Sequence, residues 1–116
     1  MKKQKKDDLK EFKKLCKYWI KNLSLTDWDW RCTMSDELMD NANVLLNPEG
    51  RKAYIGLCHS REDCITIEQL AIHEVIEILL ADLAFMAEKE FNKDKVNDEI
   101  HKVINRLMPI MLGYKK

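Results

Sequence analysis

The sequence predicts an α+β fold in one domain spanning residues 1–116: an N-terminal helix, a small antiparallel three-stranded sheet, a long buried helix, and a C-terminal helix packed antiparallel to it. Three observations predict it. Apolar residues recur at helical spacing near both ends of the chain, two-residue alternation marks the middle, and the stretch from Thr66 to about Glu90 contains neither glycine nor proline.

The first helix is read over Asp7 to Asn22, where Leu9, Phe12, Leu15, Cys16, Trp19, Ile20 and Leu23 share one face and lysines cover the other. Residues 1–6, with four lysines, are expected to form a solvated, disordered terminus. Trp28 to Met34 alternates apolar and polar residues as a half-buried strand does. After a polar turn around Leu38 and Met39, Ala42 to Leu46 and Ala53 to Leu57 read as a hairpin. Asn47-Pro48-Glu49-Gly50 closes it, proline presetting one backbone angle and glycine tolerating a positive one. Thr66 and Gln69 have the form of a capping box, which starts the long helix. Because that helix is apolar nearly all round, it is expected to be central and buried. The last helix runs from Lys95 or Val96 to about Leu112, with Pro109 late in it and Gly113 placed to cap it.

Composition narrows the function. Apolar residues at 46% and charged residues at 34% suit a folded chain rather than a disordered one. Lys plus Arg and Asp plus Glu both number 20, so no global field draws the protein to nucleic acid or to a membrane. The lysine-rich start runs into Asp7-Asp8 rather than into an apolar leader. The apolar pattern from Leu79 to Ala87 is interrupted by Asp82 and too short to span a bilayer, and a cytoplasmic location is expected. The four cysteines are then expected to be reduced, with Cys16 and Cys32 as small core hydrophobes. Cys58-His59 and Cys64 lack the Cys-x2-Cys spacing of a zinc knuckle. Trp19, Trp28 and Trp30 read as core aromatics.

His73-Glu74-Val75-Ile76-Glu77 carries the chemical interest. Residues four apart on a helix project from one face about one turn apart, so His73 and Glu77 can meet the same ion. Glu74 lies about 100° round the helix, where a carboxylate can take a proton from water held by the ion without ligating it. The third donor must come from elsewhere. His101 on the last helix is the first candidate and Glu99 its substitute if that helix is rotated. The alternative is that His73, Glu74 and Glu77 form a solvent stripe or pair with basic residues such as Arg106.

From Trp28 to Arg106 the chain resembles the compact zincin-like metallopeptidases of phage and prophage genomes. The matching segments are Ile72-His73-Glu74-Val75-Ile76-Glu77-Ile78-Leu79-Leu80-Ala81-Asp82-Leu83 and Glu99-Ile100-His101-Lys102-Val103-Ile104-Asn105-Arg106-Leu107. The resemblance implies a minimal zincin-like fold, one zinc ion, and His73 as first ligand. It also implies Glu74 as general base and His101 or Glu99 completing the site. Glu77 stands where the family has its second histidine, and the added negative charge would lower the metal's Lewis acidity. The expected function is a zinc-dependent hydrolase of metallopeptidase type, with water on the metal attacking an amide carbonyl. A catalytically silent zincin-like module that binds protein, and a metal-free accessory protein, are the alternatives.

Overall fold

The computed structural model describes residues 2–35, 41–58, 61 and 64–114, and of residues 2–6 the backbone alone. The elements are α1 (Lys2–Asn22), β1 (Asp29–Ser35), β2 (Ala42–Asn47), β3 (Lys52–Cys58), α2 (Ile67–Leu79), α3 (Ala81–Ala87) and α4 (Lys93–Leu112). Of the polar turn predicted over Ser35 to Asn41, residues 36–40 lie outside the described residues, as does His59, and Ser35 ends β1. The α+β class, the hairpin and the C-terminal helix running back along α2 agree with the sequence reading.

α1 begins at Lys2, before the amphipathic pattern starts at Asp7. It ends in a Schellman turn. Leu25 N–H donates to Ile20 O at 2.8 Å and Ser24 N–H to Lys21 O at 3.1 Å, while Ser24 takes φ 58. Leu25 is thereby buried.

The sheet is mixed rather than antiparallel, in the order β1-β3-β2. β2 and β3 form the predicted antiparallel hairpin, but β1 lies parallel to β3, with Trp30, Cys32 and Met34 opposite Ala53, Ile55 and Leu57. The turn at residues 48–51 commits one edge of β3 to β2. β1 takes the other edge, which makes the most apolar of the three strands central. Pairing then aligns Trp30, Cys32 and Met34, Ala53, Ile55 and Leu57, and Ala42, Val44 and Leu46 on a single face. The core cluster lies on that face.

In the hairpin turn the positive angle falls on Arg51 (φ 53), not on Gly50. At position 50 glycine leaves room instead: a Cβ there would lie 3.0 Å from the Asn47 side-chain amide, which would have to shift, and whose Oδ1 accepts from Gly50 N–H at 3.1 Å. Arg51 then reaches across to Asp82, donating from Nη1 at 2.8 Å and 2.9 Å to the two carboxylate oxygens. It also pairs with Asp27 at 3.3 Å and lies over the Trp28 ring. The network ties the turn to α3.

The long helix of the sequence reading is two helices. α2 starts at the predicted capping box, with Gln69 N–H donating to Thr66 Oγ1 and Thr66 N–H to Gln69 Oε1. It stops at Leu80, whose backbone (φ −93, ψ 3) leaves the helical region before α3 begins. Burial changes at the same place. Leu70, Ala71, Ile72, Val75, Ile76 and Ile78 are buried, whereas past Ala81 the apolar side chains open to solvent, Leu83 at 67% and Met86 at 65% exposure. An apolar sequence continues where the sheet and α1 no longer supply a surface to bury it.

α2 is the axis of the molecule. It contacts β2, α1 and α4, and one hydrophobic cluster joins them through Phe12, Cys16, Ile55, Leu57, Ile72, Ile76 and Ile104. No helix among the described residues is long and apolar enough to cross a membrane.

Candidate metal centre

The seam between α2 and α4 brings together His73, Glu77 and His101. One ligand atom from each lies within 4.8 Å of the others, and all three side chains are half-buried. His73 and Glu77 come from successive turns of α2, where the capping box fixes the helix start and the buried Ile72, Val75 and Ile76 fix its rotation. His101 comes from α4, held by Val96, Ile104 and Met111, the residues that α4 buries. Asn92 caps α4, its Oδ1 accepting from Lys95 N–H at 2.7 Å.

The distances suit a small divalent ion. His73 Nε2 lies 3.6 Å from Glu77 Oε2, and the two imidazole centroids are 5.2 Å apart. Donors on one tetrahedral zinc stand about 3.3–3.5 Å apart, given metal–donor bonds of about 2.0–2.2 Å. The triad therefore needs to contract by at most about 1.5 Å, within side-chain torsion. Two imidazoles and one carboxylate are also a donor set of catalytic zinc sites, which leaves a fourth position open.

His101 is further prepared. Its Nδ1 lies 2.9 Å from the Asn97 carbonyl oxygen. A carbonyl only accepts, so Nδ1 carries a proton, which leaves Nε2 as the nitrogen able to ligate an ion. Such a second hydrogen bond fixes both tautomer and ring direction in metal-ligating histidines. The sequence reading passed over Asn97; its signal is its position one turn before His101, where the helix carbonyl meets the imidazole.

Glu99 is not part of the cluster. It lies two residues from His101, some 200° round α4, and its carboxylate accepts from Lys102 Nζ at 2.8 Å. That hydrogen bond, followed by the charges of Lys102, Lys95 and Arg106, holds the Glu99 carboxyl below the usual carboxylate range. Arg106 thus acts on Glu99, and among the described residues it forms no ion pair with Glu74 or Glu77.

Glu74 occupies a different environment from its neighbours. It is 3% exposed, against 32% and 24% for the His73 and Glu77 side chains. Its charge reaches the Cys16 thiol on α1. Burial first, then Cys32, then Glu74 push that thiol far above its ordinary range. Burial likewise pushes the Cys32 thiol up to about 11, with Lys13 opposing. Cys16, Cys32, Cys58 and Cys64 are all free thiols, the first three buried.

The three side chains are a group that could hold a metal ion. No family model matches the chain, and neither a characterised protein nor a solved structure is significantly similar to it.

Proposed function

We propose that the protein is a zinc-dependent hydrolase of metallopeptidase type, with His73, Glu77 and His101 as ligands and a peptide or protein as substrate. The observation that carries this reading is the convergence of three donors from two helices, one of them in a fixed tautomer. A zinc ion bound there would supply Lewis acidity toward a carbonyl oxygen and toward water. Glu77 makes the site more anionic than one with a third histidine, so that acidity is moderated. Glu74 is the residue on the adjoining helical face that would accept the proton from the attacking water.

The burial of Glu74 favours a second reading, a metal-holding scaffold without hydrolytic activity that binds a protein partner. A carboxylate committed to the core beside Cys16 is less free to exchange protons with a substrate cleft. Two measurements separate the readings. Elemental analysis of protein purified without a metal-affinity tag is expected to give one zinc per chain, lost in His73→Ala. Hydrolysis of an unfolded protein substrate is expected to vanish in Glu74→Gln while zinc is retained. Stoichiometric zinc without any hydrolysis by the parent chain selects the scaffold, and protein that takes up no zinc ends both.

A further inference from the structure

The zero net charge hides a separation of charge. Residues 2–22 hold nine lysines against three acidic residues, a net of +6, so the rest of the chain carries −6. The separation is also ordered within α1. Lys10, Lys13, Lys14, Lys17 and Lys21 are all exposed. At 100° per residue they fall within a stripe about 100° wide. Asp7, Asp8 and Glu11 fall outside that stripe, while Phe12, Cys16 and Trp19 face the core. Among the described residues none of the five lysines forms an ion pair. The same spacing continues in sequence to Lys6 and Lys3.

We propose that this face of α1 docks the protein on an anionic lipid surface, by charge alone. Three features select that partner over a nucleic acid. The stripe is straight, running about 17 Å along the helix axis from Lys10 to Lys21. Lysines at each turn can therefore meet one plane together, whereas duplex phosphates follow two curved rails that a straight row crosses only a few times. The stripe is lysine throughout, with no arginine to make the bidentate contacts that phosphate and base recognition favour. None of the aromatics of α1 lies within the stripe: Phe12 and Trp19 are buried inward, and Tyr18, beside the stripe, is half-buried with its ring edge-on to Trp19.

The apolar face of α1 is committed to the core, so the helix lies on the surface without inserting. Attachment is then reversible and salt-sensitive. This revises the expectation, drawn from total charge, that a membrane has no part in the partners of this chain.

Co-sedimentation of the full chain with lipid vesicles tests the proposal. Binding is expected to phosphatidylcholine vesicles containing about 30 mol% phosphatidylserine, not to pure phosphatidylcholine, and to be lost at about 0.5 M salt. The variant with Lys10, Lys13, Lys14 and Lys17 changed to glutamine is expected to bind at least about tenfold more weakly. The same four positions changed to arginine are expected to retain binding, as is Lys93→Gln/Lys102→Gln on α4. An unchanged melting temperature shows that the glutamine variant remains folded. The proposal is overturned if the parent shows no preference for phosphatidylserine or if the glutamine variant binds as well. It is also overturned if a duplex DNA of about 20 base pairs displaces the protein from vesicles through the same four lysines.

Discussion

At His101 the hydrogen bond to the Asn97 carbonyl does more than orient a ring: it decides which nitrogen is left to meet an ion. The sequence placed His73 and Glu77 on one face because four residues make about one turn. It left His101 and Glu99 open because two residues make just over half of one, and only the rotation of α4 chooses between them. Glu77 is the point at which chemistry can be tuned. Glu77→Ala removes a donor and is expected to weaken zinc binding severely. Glu77→His keeps three donors and removes an anion, and is expected to retain zinc while raising any hydrolytic rate. Equal zinc affinity in Glu77→Ala and the parent, measured against a chelating indicator, would remove Glu77 from the ligand set. The thiols give a separate test. The folded state holds Cys32 protonated up to about 11, above the ordinary thiol range near about 8.5–9. The unfolded state loses its proton first, so the contribution of Cys32 to stability is complete below about pH 9 and is lost as pH rises toward 11. Denaturant midpoints are expected to fall across that window, and less so in Cys32→Ala. A midpoint that falls equally in both would assign the loss to other groups.

Among the elements, those with local signals were legible. The capping box at Thr66 and Gln69 appears as read, and the hairpin follows from alternation plus a turn. Thr66→Ala removes the cap and is expected to cost about 1 kcal/mol, seen as a lower melting temperature. The direction of β1 and the break at Leu80 were not legible, because neither is local. β1 runs opposite to β2, as β3 does, so on the edge of β3 that the hairpin leaves free it lies parallel, and no residue within β1 encodes that choice. Leu80 leaves the helical region without glycine or proline, where the supporting surface ends. The end of α1 offers a converse case, a serine where a Schellman turn favours glycine. Ser24 sits at φ 58, in a region costly to any residue with a Cβ. Ser24→Gly is expected to raise stability by about 0.5–1 kcal/mol, relief of strain outweighing the added freedom of the unfolded chain. A lower melting temperature in that variant would mean that the serine side chain stabilises the turn.

For the whole molecule, the division of labour follows from α2 having more than one partner. Its buried face joins α1 and the sheet, and its half-buried edge, with His73 and Glu77, meets α4. α4 contributes few buried residues, of which only Ile104 is fully enclosed. Its hold on the core is therefore modest, and a metal ion bridging α2 and α4 would act as a clamp between them. An ion that binds the folded chain and not the unfolded one stabilises it by about 2.7 kcal/mol at a free concentration one hundred times its dissociation constant. For a domain of this size each kcal/mol moves the melting temperature by about 4 °C, so a rise on the order of 10 °C is expected on adding zinc, reversed by chelator. The rise should disappear in His101→Ala, which breaks the link from the α4 side. It should persist in Glu99→Gln, since Glu99 turns away toward Lys102. If His101→Ala kept the full rise, zinc would be binding elsewhere, and the α2–α4 seam would be a helix contact without a metal role.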